Sequence, residues 1–427
     1  MRRIGILAST GAVTAALVLS GCGSDDQDGS SGSAGSVTVT FMLPSSWVGV
    51  AGFKDNVAAW EHRTGNKVKL TPVPDANYDA LIQARIAAKS GVDIFGGQDT
   101  VKNKAAIMRP ASGPWVDRLT PSVRKAITGT DGKIYGTPSA DGLAGYGVIY
   151  NKAVFTKAGV TSPPTGLAAF EAGLEKVKAD GTTPLCLSGK DGWTLLQHRN
   201  AVNSGLLGTT PDLVTTLDAN KSEWGDASGF TAEYNALASW VGKGLINKDA
   251  LTATFDSQNA ALADGSCGAI INGTWAFSAI TTVKKNADIG FFPLPSADGK
   301  NTIGLAKPNL LKVASFSKAA TQAQDFLNFM VERPQAQRFI DANPGVSPFS
   351  DVTVTKETSA VGDFRKLVEG GATVTPFDQQ STVPQPQDDI IAAYQELIGK
   401  RIDVPEFTDR VQSAWQKSGA KAGVTGF

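Results

Sequence analysis

Apolar residues along this chain follow two rhythms in alternation. Val37 to Leu43 is β-rich and of strand length, after which Phe53, Val57 and Trp60 recur at helical spacing as far as Thr64-Gly65, a helix stop. Lys67 to Val73 reads as a second strand, and Tyr78 to Ala88 as a helix turning on Leu81, Ile82 and Ile86. Val92 to Phe95 is then a short buried strand, broken by Gly96-Gly97. This order predicts an open α/β sheet, in which the loops at the carboxyl ends of parallel strands receive ligands.

The pattern changes register at Lys133 to Asn151, where Ile134-Tyr135-Gly136 and Val148 to Asn151 flank a loop of glycine and small residues, read here as a crossover between two lobes. Thr183 to Ser188 and Cys267 to Asn272 are further β-rich runs, separated by helical patterns that include Ala232 to Val241. Asp288 to Leu294 and Leu310 to Ala314 are strand-like, whereas Ala319 to Phe329, Ile390 to Ile398 and Phe407 to Trp415 are helical. Trp60, Trp240 and Trp415 sit on helical apolar stripes and read as core. No internal repeat is present.

The first residues obey a different rule. Arg2-Arg3 precede an apolar run from Ile4 to Leu19, the layout of a secretory signal and shorter than the roughly 20 residues a spanning helix needs. It ends at Leu19-Ser20-Gly21-Cys22, which resembles a bacterial lipobox. In such signals the peptide is cut before the cysteine, whose thiol carries a diacylglyceryl group. The resemblance implies a signal peptide over 1–21, lipidation at Cys22, and an extracytoplasmic protein held to the cell membrane by that lipid alone. An ordinary cleaved signal with an incidental cysteine is the alternative, and the export route, Sec or twin-arginine, stays open. Gly23 to Ser36 is almost all Gly, Ser and Asp, so 22–36 reads as a flexible tether and the folded body begins near Val37.

Composition narrows the function. Forty basic and 40 acidic side chains among 427 residues leave no bias toward nucleic acid or an anionic membrane. With Cys22 lipidated, Cys186 and Cys267 are an even pair, which reads as a disulfide in an oxidising exterior; two separately buried thiols are the alternative. Neither histidine, His62 or His198, stands at metal-ligand spacing from the cysteines, so no metal and no cofactor is expected.

Several stretches together resemble one family. They are Lys133-Ile134-Tyr135-Gly136-Thr137-Pro138, Gly147-Val148-Ile149-Tyr150-Asn151-Lys152, Asp180-Gly181-Thr182-Thr183-Pro184 with Gly189-Lys190-Asp191-Gly192-Trp193, and Ile271-Asn272-Gly273-Thr274-Trp275. Their order is similar to that in the extracellular solute-binding proteins of ABC sugar transporters, the maltose-binding branch. The resemblance implies a two-lobed periplasmic-binding-protein-like α/β fold, each lobe a central sheet flanked by helices, with the ligand cleft between lobes. By analogy the N-terminal lobe takes 37–146 and 287–342, and the C-terminal lobe 147–286 and 343–427. It also implies a monomer whose partners are a small carbohydrate and the permease subunits of an ABC transporter, and it puts the β-runs of Cys186 and Cys267 in one sheet.

A neutral sugar offers apolar ring faces and a rim of hydroxyls, which call for flat aromatic platforms and polar side chains. Trp47, Trp193 and Trp275 each stand at or just past a strand end beside small polar residues, outside any periodic stripe. The resemblance gives Trp275 the stacking role, and gives Gln98 and Asp99, after the Gly96-Gly97 break, the place of a hydroxyl partner. Asp141, in the loop before the crossover, and Asn272, before Trp275, are further candidates. Isolated loop Asp and Asn also serve as turn residues, and each tryptophan could instead anchor its loop. No nucleophile elbow, zinc-protease pair, phosphate loop or dinucleotide fingerprint occurs, so a binding protein is expected rather than an enzyme. A surface-anchored glycan hydrolase is the alternative, since paired carboxylates meet only in space; a binder of peptides or polyamines is another, and would favour a charged cleft.

Overall fold

Strand β1 (Thr38–Pro44) turns Val39, Phe41 and Leu43 into one apolar cluster and Met42 into another, the alternation of a strand buried on both faces. It pairs in parallel with β2 (Lys67–Val73) and β3 (Ile94–Phe95). The helix Phe53–Thr64 covers one face: Trp60 meets Phe326 edge-on at 5.2 Å, and its Nε1 donates to Asp325 at 2.8 Å. Gly65 ends that helix in the left-handed region, its N–H donating to the Glu61 carbonyl.

This computed structural model describes residues 35–97, 103–139, 142–298 and 300–427. The segment expected as a signal peptide, Cys22, nearly all of the expected tether, and the candidates Gln98, Asp99 and Asp141 lie outside the described residues. Among those described, no helix is long and apolar enough to cross a membrane.

β4 (Thr137–Pro138) is the edge of the first sheet, and β5 (Ala144–Asn151) opens a second. β6 (Thr183–Cys186), β7 (Cys267–Gly273), β8 (Ile289–Phe292) and β9 (Ile303–Ala306) follow in the second sheet. β5 is its axis, antiparallel to β7, β8 and β9, while β6 runs parallel to β7. β10 (Leu310–Val313) returns to the first sheet and lies between β3 and β4, antiparallel to both. β11 (Thr373–Val374) completes the second sheet beside β9.

Each sheet has its own core. The larger one, on the second sheet, gathers Trp224, Tyr234, Trp240, Tyr394, Phe407 and Trp415, all fully buried. Cys186 at the end of β6 and Cys267 at the start of β7 lie against its other face, their Cα atoms 6.2 Å apart, a separation a disulfide spans.

The lobe limits expected at 146, 287 and 342 do not coincide with the sheets. β5 already belongs to the second sheet at Ala144, and β8 and β9 both pair with it, so the chain returns to the first sheet only between Ala306 and Leu310. Phe349 and Val352 stay in the core of Phe41, whereas Ala360 and Phe364 pack with β8, which moves the last departure beyond Val352. An apolar run announces a strand but carries no mark of which sheet it will join.

The connecting segments run side by side. The Ser139 N–H donates to the Asn309 carbonyl at 2.8 Å, and the Leu143 N–H to the Val346 carbonyl at 2.7 Å. Gly142 sits at φ 88° against Val346, where any side chain would be both strained and crowded.

Candidate functional site

Two adjacent strands of the second sheet end in exposed aromatics. Past β7 the chain turns through Thr274, whose N–H donates to the Gly145 carbonyl at 3.0 Å and whose hydroxyl accepts from the Gly145 N–H at 3.2 Å. That tie to β5 delivers Trp275 at the start of the helix Ala276–Val283. Past β6 a single 3-10 turn, Gly192–Thr194, presents Trp193. Among the described residues the large hydrophobic side chains left exposed are Trp193 at 40%, Trp275 at 38%, and Val283.

The two indoles are neighbours, with ring centroids 6.5 Å apart and planes tilted by 44°. Phe255 extends the row, 5.1 Å from Trp193, and Tyr146 meets Trp275 edge-on at 5.9 Å. Phe255 opens the helix Phe255–Asp264 just after the Thr254 cap, and its N–H donates to the Asp191 carboxylate at 2.8 Å. Asp191 is thereby occupied in holding an aromatic. The Tyr146 phenol is held far above its usual range, chiefly by burial and then by Asp378, so it stays neutral.

This surface can stack flat apolar rings in water. The Asp191 carboxylate lies beside it, and among the described residues no group of three His, Cys, Asp or Glu side chains is placed to hold a metal.

The other candidates divide. Trp47 belongs to the first sheet's side, partly buried, with its indole lying over Gly96 at the end of β3. There Tyr78 braces the turn: its hydroxyl accepts from the Gly96 N–H at 2.9 Å, and burial pushes the phenol up to about 12. Trp47 also walls an apolar cavity with Phe53, Pro138, Leu327 and Phe339. Asn272 is a correction: it is fully buried, its Nδ2 donating to Gln258 at 3.3 Å and its Oδ1 accepting from the Gly273 N–H at 2.8 Å. Three residues before the exposed ring the chain still belongs to the strand, and the side chain faces in, away from solvent.

Phe255, Tyr146 and Gln258 were missed. The capping pattern Thr254-Phe255-Asp256-Ser257 was the available signal, since it places Phe255 at a helix start, where strand-end loops meet.

A family model described as bacterial extracellular solute-binding protein matches residues 56–365. The multiple sugar-binding protein of Streptococcus mutans serotype c (strain ATCC 700610 / UA159) is 27% identical over 224 residues, 49% of this chain. The match spans about half the length of that curated relative, 50%. Among solved structures, a chitin oligosaccharide binding protein superposes with a TM-score of 0.75 at 24% identity, covering 90% of this chain and 99% of the other. The raffinose complex of the binding protein RafE gives 0.77 at 18% identity, covering 90% and 100%. These two likenesses fix the fold: two α/β lobes, as the two sheets and their separate cores already describe.

Proposed function

The chain belongs to the bacterial extracellular solute-binding proteins, and from that premise we propose that it is the sugar-capturing component of an ABC transporter. Family and neighbours are solute-binding proteins, not enzymes. The observation that carries the reading is the pair of half-exposed indoles, Trp193 and Trp275, at the ends of adjacent strands. A row from Trp275 through Trp193 to Phe255 suits an oligosaccharide better than one ring. Relatives named for multiple sugars, for chitin oligosaccharides and for raffinose support the same class.

In this proposal the ligand lies in a cleft between the lobes. Trp47, with Gln98 and Asp99 beyond Gly97, meets it from the first lobe, and Asp141 from the crossing. Contacts from both sides stabilise the closed arrangement more than the open one, so binding shifts the hinge equilibrium and presents a surface to the permease. Export leaves Cys22 lipidated, tethering a monomer beside the transporter, and Cys186 and Cys267 join as a disulfide outside the cell.

A thermal-shift panel of soluble protein against raffinose, chitin oligosaccharides, mannobiose, monosaccharides, peptides and polyamines tests this. A ligand at a hundred times its Kd adds about 2.7 kcal/mol of stability, so an oligosaccharide is expected to raise the midpoint by several degrees. A rise with peptides or polyamines alone overturns the reading.

A further inference from the structure

Gln258 lies in the first turn of the helix Phe255–Asp264, and its side chain is buried beneath the aromatic row rather than in it. It reaches three ways. Its Nε2 donates to the Cys186 carbonyl at 2.6 Å, and its Oε1 accepts from Ser188 Oγ at 3.0 Å and from Asn272 Nδ2 at 3.3 Å. Two of these arms, through Ser188 and Asn272, continue to a tryptophan. Ser188 Oγ is 3.0 Å from Thr194 Oγ1, whose hydroxyl donates to the Ser188 carbonyl at 2.8 Å, and Thr194 follows Trp193 in the same turn. Asn272 holds the Gly273 N–H, and the indole of Trp275 lies over Gly273. The same helix carries Phe255 against Trp193.

We propose that Gln258 is a positioning residue that sets the angle between Trp193 and Trp275, and with it the preference for ligands that stack on both rings over those that stack on one. The selectivity half of this statement rests on the sugar-binding reading; the angle half does not. A neutral amide suits the post because it offers a donor and a two-fold acceptor on one rigid plane. A carboxylate would bury a charge and lose the donor, and a thioether or alkyl chain would remove the bonds to Ser188 Oγ, Asn272 Nδ2 and the Cys186 carbonyl, leaving Ser188 Oγ only Thr194.

The test uses Gln258→Met, of similar volume, in the otherwise intact soluble protein. Near-ultraviolet circular dichroism of the ligand-free protein, with Trp193→Phe and Trp275→Phe as subtractions, isolates the coupling of the two indoles. The expected result is a folded variant, melting cooperatively, that has lost most of this pair signal. Its affinity for a trisaccharide should fall about tenfold, the equivalent of about 1.4 kcal/mol, against about twofold or less for a monosaccharide. A folded variant with the parent's pair signal and the parent's ratio of the two affinities overturns the proposal. Should Gln258→Met fail to fold, Ser188→Ala cuts one arm only and is read the same way. If the parent binds no sugar at all, the sugar reading falls, and the dichroism alone decides whether Gln258 positions the pair.

Discussion

Trp275 lies with its indole folded back over Gly273, in space that a Cβ at 273 would occupy. Gly273 has ordinary strand backbone, so alanine there is tolerated by the chain and evicts only the ring. Gly273→Ala is therefore expected to weaken sugar binding nearly as much as Trp275→Ala, about 2–4 kcal/mol for a stacking anchor. Both variants should melt close to the ligand-free parent, because the ring is already part-exposed. Calorimetric titration and melting check this; native affinity in Gly273→Ala would show that the indole position is irrelevant.

Trp60 makes the contrasting case. It is fully buried, and Trp60→Phe removes the donor to Asp325 as well as packing. Stability should fall by about 1–3 kcal/mol with sugar affinity unchanged, measured by urea unfolding and titration. A change in affinity would mean that the core of the first lobe reaches the site.

Stability should respond to pH through two buried groups of the second lobe. Burial holds His198 down at about 4, so the folded chain refuses a proton that the unfolded chain accepts below its ordinary value, and stability is lost as pH falls from about 6.5 through 4. Burial lifts Glu233 to about 8, partly offset by the Ala297 N–H it accepts from and reinforced by Asp298. Its stability is present below the unfolded value near 4.5 and lost as pH rises through 8. At about 1.4 kcal/mol per pH unit each effect is on the order of 3–5 kcal/mol. Glu233→Gln should thus gain on the parent progressively between pH 4.5 and 8 and show no change in that difference below pH 4. Urea midpoints across pH 3–9 decide it; parallel curves would place Glu233 in contact with water.

The cysteine pair predicts no free thiol in the denatured, unreduced protein. Cross-linking residues 81 apart stabilises by about 4–5 kcal/mol in the chain-entropy model, so Cys186→Ala with Cys267→Ala should lower stability by up to that amount. Two titratable thiols in the exported protein would exclude the bridge.

Cys22→Ala should release soluble, sugar-binding protein from cells. The variant remaining in the membrane fraction would rule out the lipid anchor.

Local periodicity made much of this legible. β2 covers the very residues Lys67–Val73 that read as a strand, and Trp60, Trp240 and Trp415, read as stripe residues, are buried. Trp193 and Trp275 stood out for the opposite reason, as large rings beside small polar residues, and the fold brings the two together. What stayed hidden was long-range. β8 reads as a strand, but its partner is β5, on the far side of more than a hundred residues whose pattern is silent about pairing. Asn272 read as a ligand candidate beside Trp275 because one position decides whether a side chain faces out or in, and Gln258 looked like any polar helix residue until its three partners were in place.

The place of β10 between β3 and β4 has a consequence for how the molecule is made. A chain leaving the ribosome N-terminus first offers β3 and β4 with the gap between them unfilled until Leu310–Val313 emerge, and Phe349 and Val352 come later still. Such non-local closure is slow and cannot be rewarded early. Until then β1, β2 and β3 can pair among themselves, but the first sheet stays incomplete, and it closes only after more than 300 residues have been made.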